Sequence, residues 1–118
     1  MSESNSDVLL AANAAVARGD YDGFLAHCTD DTRWEFVGDR VLEGKDAVRA
    51  YMAEAYEQPP TFDVKELIET GERVVVIGEI TLSEDGEATR YAYCDVWTLR
   101  GGKLDTLRAF VVKLDGEA

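Results

Sequence analysis

Residues 91–99 contain the side chains best suited to chemistry. On a β-strand, side chains alternate between two faces. The face that carries Asp95 also carries three aromatic side chains, which are Tyr91, Tyr93 and Trp97. A carboxylate placed among apolar groups, with no cation beside it, has a raised pKa. We therefore predict that Asp95 serves as an acid, a base or a hydrogen-bond donor to a bound molecule.

The same residues also allow a purely structural role. Several aromatic rings are needed to build the core of any chain of this size. A buried carboxylate is costly unless it is hydrogen-bonded, and tyrosine hydroxyls or the indole of Trp34 or Trp97 would supply such bonds to Asp95. A core carboxylate and a ligand-facing carboxylate are therefore both open.

Hydrophobic spacing places this strand in a mixed sequence of helices and strands. Apolar residues at helical spacing predict a first helix that Ser4 or Ser6 caps and Gly19 ends, a short second helix and a third helix. Alternating and continuous apolar runs predict the strands, with a bulge near residues 66–68. The predicted helices after the first are 21–27 and 46–57, and the predicted extended segments are 32–37, 40–42, 62–69, 73–82, 87–99 and 104–114.

A pocket that contains Asp95 would draw its walls from several of these elements. Trp34 and Phe36 share one face of the first strand, and Tyr51 lies on the inner stripe of the third helix. Ala109 shares a face of the last strand with Leu107 and Val111. We predict that the pocket is lined by Trp34, Phe36, Tyr51, Tyr91, Tyr93, Trp97 and Ala109. Gly78, in the central apolar strand, either leaves room inside this pocket or permits the sheet to bend.

Charge and composition exclude several classes of partner. The chain has 118 residues, which suits one domain, and a formal charge of −12, which repels nucleic acid and anionic membrane surfaces. The N-terminus lacks the pattern of a signal peptide and no apolar run is long enough to span a bilayer, so we expect the cytoplasm. Cys28 and Cys94 are predicted to be reduced, small buried hydrophobes.

Metal and nucleophile chemistry has few candidate residues. The single histidine, His27, rules out histidine clusters and makes a histidine-containing triad improbable. At the end of a short helix it is more simply an exposed or carbonyl-bonding side chain. Asp30 and Asp31 precede a strand and are predicted to form a solvated turn rather than a metal site. We expect neither a metal nor a cofactor.

Four short motifs in order resemble the SnoaL-like branch of the nuclear transport factor 2-like superfamily. They are ARGDYDGF at 17–24, TDDT at 29–32, EGKDAV at 43–48 and DVWTLRGGKL at 95–104. The resemblance divides the chain into a polar tail at 1–6, one domain at 7–114 and a C-terminal tail at 115–118. It implies an α+β fold in which three helices wrap a cone-shaped, curved antiparallel sheet that encloses a pocket. It also implies a homodimer formed through the outer face of the sheet.

The role that the resemblance implies for Asp95 differs between the enzymes of the superfamily. In ketosteroid isomerases the matching aspartate is protonated and donates a hydrogen bond to the developing oxyanion. Ala12 and Phe36 stand where those enzymes have a tyrosine and the general base, so isomerisation by that route is not expected. Epoxide hydrolases need an acid after the last-strand arginine, and Ala109 follows Arg108 here. In polyketide cyclases a single pocket aspartate is the proposed acid or base, which Asp95 matches.

Three functions remain open on this sequence. The first is an isomerase, cyclase or hydratase-type enzyme that moves a proton on a small apolar carbonyl compound through Asp95. The second is a non-catalytic module that binds a small apolar ligand in the same pocket. The third is a dimerising domain whose cone is filled by its own side chains. Fold alone does not separate them.

Overall fold

The chain forms three α-helices and six β-strands within the residues that the computed structural model describes, which are 4–56, 58–84 and 86–114. The helices pack on one face of the sheet, as an α+β fold requires. In chain order the elements are α1 Asn5–Ala17, α2 Tyr21–Leu25, β1 Cys28–Phe36, β2 Arg40–Glu43, α3 Lys45–Ala55, β3 Thr61–Thr70, β4 Arg73–Glu84, β5 Glu87–Arg100 and β6 Lys103–Lys113.

Polar side chains cap the first two helices, and the cap of the first is the predicted Ser4. The Ser4 hydroxyl accepts a hydrogen bond from the backbone N–H of Asp7 at 3.1 Å, so α1 takes in two residues that the sequence placed in the N-terminal tail. The carboxylate of Asp20 caps α2 by accepting from the N–H of Gly23 at 2.9 Å. Between these helices Gly19 adopts φ +79°, a conformation that favours glycine and ends α1.

Helix α3 starts one residue earlier than predicted and ends at Ala55. The predicted end at Glu57 lies outside the described residues, as do Asp85 in the predicted hairpin turn and the tail residues 1–3 and 115–118. Val48 and Met52 are fully buried on one side of α3, and Tyr51 lies half-buried beside them. This stripe faces the sheet and closes the interior from one side.

The sheet is mixed, which corrects the prediction of an antiparallel sheet while the α+β class is confirmed. Its strand order is β2-β1-β6-β5-β4-β3, and β3 to β6 form an antiparallel meander. Strand β1, however, pairs in parallel with β6. The segment β2-α3 carries the chain from β1 to the opposite edge of the sheet, and the meander then returns β6 alongside β1 in the same direction. Side-chain alternation is the same in both pairings, so it does not encode strand direction.

Strand β1 begins four residues before the predicted start, and this overturns the predicted turn at Asp30 and Asp31. Both acids lie within the strand, where a register shift between Cys28 and Arg33 interrupts the alternation. They remain exposed and form ion pairs, Asp30 with Lys45 at 3.4 Å and Asp31 with Arg100 at 2.7 Å. Because Asp30 and Asp31 are adjacent and both exposed, this part of β1 lacks the alternation of buried and exposed residues that predicts a strand.

Gly78 is explained by the close approach of β3. The predicted bulge in β3 occurs as a register shift between Val64 and Glu66, opposite Gly78 on β4. A Cβ atom at Gly78 would lie 2.5 Å from the backbone oxygen of Asp63 and 3.1 Å from the hydroxyl oxygen of Tyr93. A side chain there would collide with backbone that cannot move aside, so glycine gives room both to the bulge and to Tyr93.

The pairing register separates an inner from an outer face of the sheet. Tyr93, Asp95 and Trp97 share the inner face, and the helices cover this side. No described helix has the length and apolar character needed to cross a membrane. Both cysteines are free; Cys28 is buried beneath the helices and Cys94 is half-buried on the outer face.

Candidate functional site

A cavity of about 680 Å³ lies between the inner face of the sheet and the helices. A cone filled by its own side chains would leave no such volume. Every residue that the sequence placed around a pocket lines this cavity: Trp34, Phe36, Tyr51, Tyr91, Tyr93, Asp95, Trp97 and Ala109. The structure therefore brings these residues together at one place.

Strand β5 positions Asp95 by pairing on both sides. Asp95 lies opposite Val76 on β4 and opposite Ala109 on β6. Cross-strand partners in an antiparallel pair point to the same face, so the two small apolar neighbours leave space above the carboxyl group. Phe36 lies opposite Ala109 on the next strand and extends the same row.

Aromatic rings form the wall around this row. The indole of Trp34 lies 5.6 Å, centroid to centroid, from the rings of Phe24 and Trp97, and its plane is nearly perpendicular to both. The rings of Phe36 and Tyr51 are 4.9 Å apart. Edge-to-face contacts of this kind stabilise a ring cluster beyond simple burial, so the wall is a connected network rather than a set of loose side chains.

Burial controls the electrostatics of Asp95. Desolvation raises the pKa of Asp95 to about 7, because an apolar environment disfavours its charged form. Within residues 4–56, 58–84 and 86–114, no hydrogen bond or ion pair offsets this effect. Near neutral pH the carboxyl group is therefore divided between its protonated and ionised forms.

Two of the polar groups expected to bond Asp95 structurally, in Trp34 and Tyr93, do not do so. The indole Nε1 of Trp34 and the hydroxyl of Tyr93 are buried and have no hydrogen-bond partner among the described residues. Both side chains are nearly inaccessible, at 4% and 7% exposure. The hypothesis of a carboxylate satisfied within the core is therefore not supported by these two donors.

Burial also keeps the neighbouring phenols neutral. It raises the pKa of Tyr93 to about 12 and moves the pKa of Tyr51 and Tyr56 upward as well. Neutral phenols donate hydrogen bonds but do not serve as bases near neutral pH. Asp95 is thus the interior group that exchanges a proton in that range.

Several cavity residues were missed by the sequence reasoning, and one of them had a detectable signal. Lys113 follows Ala109 and Val111 at period two on β6, so alternation would have placed it on the inner face. The others reach the cavity through the packing of separate elements, which periodicity does not reveal. They include Asn13, Phe24, Asp39, Arg40, Glu54 and Tyr56.

Charged groups occupy exposed positions on the rim of the cavity. The Nε atom of Arg40 lies 3.6 Å from Oδ2 of Asp39, so the two side chains form an ion pair. The guanidinium of Arg40 also lies over the ring of Tyr51, at 5.8 Å from the ring centroid. Glu54 and Lys113 are also exposed cavity residues. The rim is polar, while the interior around Asp95 is aromatic and apolar.

The positions used by other catalytic patterns lie in different surroundings. Ala12 is fully buried in α1 and Phe36 contributes a ring, so neither supplies an acid or base. Arg108 lies on the outer face, 3.4 Å from Glu35, and does not reach the cavity. His27 does not line the cavity either. In the described part of the chain, no group of three or more His, Cys, Asp or Glu side chains is placed to hold a metal ion.

The protein-family model of the SnoaL-like domain matches residues 9–106 of this chain. This match covers most of the sequence and includes every predicted site residue except Ala109. No curated protein sequence matches the chain.

Solved structures with the same fold include proteins of different or unknown activity. An NTF2-like protein of unknown function from Burkholderia pseudomallei is 24% identical, with 91% of this chain and 90% of that chain covered and a TM-score of 0.80. A putative SnoaL-like polyketide cyclase from Shewanella denitrificans is 16% identical, with 91% and 89% covered and a TM-score of 0.82. An LEH-like epoxide hydrolase from M. tuberculosis is 17% identical, with 91% and 81% covered and a TM-score of 0.82. At these identities the likeness establishes the fold.

Replacing Asp95 with asparagine is expected to stabilise the protein by an amount that grows with pH. The pKa of Asp95 is about 7 when folded against an ordinary value of 3.8, so the unfolded chain holds fewer protons between these values. The folded state then loses stability as pH rises through this range. The difference between the two pKa values corresponds to a loss of folding free energy of about 4 kcal/mol at most. We expect the free energy of unfolding of Asp95→Asn, relative to the wild type, to increase by about 2–4 kcal/mol from about pH 4.5 to about pH 8, measured by urea denaturation.

A matched control removes the same formal charge from the surface. Asp30→Asn neutralises a fully exposed carboxylate on β1 and should show no comparable growth with pH. If Asp95→Asn is less stable than the wild type at both pH values, the carboxylate is bonded in the folded state and the desolvation account is wrong.

Proposed function

Because this chain belongs to the SnoaL-like domain family of the NTF2-like superfamily, we propose that it binds a small apolar carbonyl compound and transfers a proton on it through Asp95. The observation that carries this proposal is a half-buried, desolvated carboxyl group, with a pKa of about 7, that faces an aromatic cavity. A general acid–base group works best when its pKa lies near the operating pH.

The proposed chemistry needs no co-reactant. Ionised Asp95 removes a hydrogen from a carbon next to the carbonyl group, and the electron pair of the broken C–H bond forms an enolate. In a carbonyl compound with a β,γ carbon–carbon double bond this enolate is a dienolate, and protonated Asp95 returns the proton to the γ carbon, which moves the double bond to the α,β position and isomerises the compound. In a cyclase, the enolate carbon would instead attack a second carbonyl carbon of the same molecule, and Asp95 would give its proton to the resulting alkoxide. The name of the Shewanella protein supports this second course by analogy.

Aromatic walls support the choice of an apolar compound. The half-buried ring of Phe36 and the nearly buried rings of Trp34 and Trp97 make the lining apolar, and the volume of about 680 Å³ lies in the range of small-molecule sites. Tyr51, Tyr91, Tyr93 and Ala109 also line this volume and would contact the same compound. The mechanism uses neither a metal nor a cofactor.

The alternative is a non-catalytic module that binds the same class of compound. Ala12 and Phe36 favour it, because no second acid or base stands beside Asp95 at those positions. A lone carboxyl group is sufficient to orient a carbonyl ligand by donating one hydrogen bond. Turnover, rather than binding, therefore separates the two functions.

We also propose that two copies of the chain associate through the outer apolar patch, which is formed by residues of β3 to β6. Phe110 and Val112 are 40% and 63% exposed on this face, and Ile68 is 48% exposed. Contiguous exposed apolar surface of this kind marks interaction sites, and a second copy offers a self-complementary surface about a two-fold axis. The patch comprises Ile68, Val75, Ile77, Cys94, Val96, Phe110 and Val112. A cytoplasmic location remains a prediction from the sequence.

Proton transfer predicts hydrogen exchange even before the substrate is known. Wild-type protein is expected to accelerate deuterium uptake next to the carbonyl group of bicyclic or tricyclic ketones in D₂O, measured by proton NMR. Asp95→Asn should slow this exchange by about 10²–10⁴-fold, because it removes the group that carries the proton. Glu54→Gln, which neutralises an acid on the cavity rim, should leave it unchanged.

Two outcomes of this experiment would count against the enzyme. Exchange that is equally fast with Asp95→Asn would assign the proton transfer to another group. A ketone that binds in the cavity but exchanges no faster than in buffer would favour the binding module.

The proposed dimer predicts a mass near twice 13.0 kDa in sedimentation equilibrium at micromolar concentration. Val112→Glu should weaken association at least tenfold, because it buries a charge and places two like charges near each other across the interface. The control Leu10→Glu changes another exposed apolar residue, 43% accessible on α1, and should remain dimeric. A wild-type mass of 13.0 kDa would exclude the dimer.

A further inference from the structure

The cavity contains the carboxylate of Asp95, which has no counter-ion among the residues that the structure describes. In the described residues, no lysine or arginine forms an ion pair with Asp95. Of the two cations that line the described cavity, Arg40 pairs with Asp39 and Lys113 lies exposed on the rim. Ionised Asp95 therefore gains most from a ligand that brings a positive charge into the cavity.

The walls of the cavity suit a cation with apolar substituents. The half-buried rings of Phe36 and Tyr51 line the cavity with their centroids 4.9 Å apart and their planes inclined at 36°, and the edge-to-face contacts of Trp34 hold both in place. Organic ammonium ions are attracted to aromatic faces by the ring quadrupole, and sites that bind them combine several inclined rings. The carboxylate offers a negative charge to the ammonium group, and the aromatic rings offer apolar contacts to its substituents.

One cavity ring already contacts a cation of the chain itself. The guanidinium of Arg40 lies over the ring of Tyr51 at 5.8 Å from its centroid, within the range of cation–π attraction. Tyr51 lies in the same ring network as Trp34 and Phe36. The ring of Tyr51 in this network therefore accommodates a positive charge over one of its faces.

We propose that the cavity binds an organic ammonium ion, with Asp95 as its counter-ion and the half-buried rings of Phe36 and Tyr51 against its apolar substituents. An inorganic cation is a poor occupant, since calcium or magnesium needs about six oxygen ligands and the interior offers one carboxylate. The formal charge of −12 raises the local concentration of any cation near the protein. This ligand class lies beyond the proposed proton transfer and does not depend on it.

Asp95 changes its charge across the neutral range, because its pKa is about 7. The pKa of Tyr93 is raised to about 12, and the pKa of Tyr51 and Tyr56 is raised too, so these phenols stay neutral. The polar groups that α1, β4 and β6 add to the lining are Asn13, Ser83 and Lys113. The ionisable groups that face the cavity are Asp39, Arg40, Tyr51, Glu54, Tyr56, Tyr91, Tyr93, Asp95 and Lys113.

Intrinsic fluorescence reports directly on this cavity, because the two tryptophans of the chain, Trp34 and Trp97, both line it. The probes are phenyltrimethylammonium, whose charge does not change with pH, and its neutral isostere tert-butylbenzene. With a pKa of about 7 for Asp95, the ionised fraction rises about thirtyfold from about pH 5.5 to about pH 8.5. We expect the affinity for the cation to rise about ten- to thirtyfold over this interval, and the affinity for the neutral probe to stay constant.

Two variants assign the effect to a residue. Asp95→Asn should abolish the preference for the cation and its pH dependence, while Glu54→Gln, at the rim, should preserve both. Equal affinity for the two probes at about pH 8.5, or loss of cation binding in Glu54→Gln but not in Asp95→Asn, would overturn the inference.

The direction of the pH dependence separates this inference from the proposed function. A neutral ketone that accepts a hydrogen bond from protonated Asp95 binds more tightly below pH 7, whereas the ammonium ion binds more tightly above it. Binding of tert-butylbenzene without the cation, or of neither probe, would refute the ammonium site. The proton transfer would then still stand or fall by the exchange of ketone hydrogens.

Discussion

The pairing of β5 on both sides along its length is the constraint on which the site depends. β4 and β6 together pair with residues 91–98 of β5, and this fixes which of the two faces of the sheet each of these side chains occupies. Because the side-chain period of a strand is two, a slip of one residue would send Asp95, Tyr93 and Trp97 outward and leave Cys94 and Val96 inside. The apolar core beneath the helices makes that slip costly, so the position of the carboxyl group is set by the same burial that stabilises the domain.

This position gives Asp95 its unusual chemistry. Its cross-strand neighbours are Val76 and Ala109, which offer neither charge nor hydrogen bonds. Ion pairs elsewhere, such as those of Asp31 and Asp30, lie on the exposed part of β1. The chain thus places its cationic partners at the surface and leaves one interior acid desolvated. A desolvated acid is costly for folding and is useful where a proton or a cation is handled.

The site could be predicted from the sequence wherever local periodicity carries the information. Alternation alone placed Tyr91, Tyr93, Asp95 and Trp97 on one face, and helical spacing placed Tyr51 toward the interior. Local periodicity could not place Arg40 or Tyr56 in the site, because these residues reach the cavity through the packing of β2 and the end of α3. Nor could it give the direction of β1 relative to β6, which depends on the path of the chain between them. The early start of β1 was missed because a register shift removed its alternation.

The central claim is that Asp95 is a desolvated acid that titrates near neutral pH. Carbon-13 NMR of protein labelled at the aspartate carboxyl carbons tests it directly, with the Asp95 signal assigned by its absence in Asp95→Asn. We expect the Asp95 resonance to titrate with a midpoint near 7. A midpoint near the ordinary 3.8 would show that the carboxylate is solvated or paired, and would contradict the account.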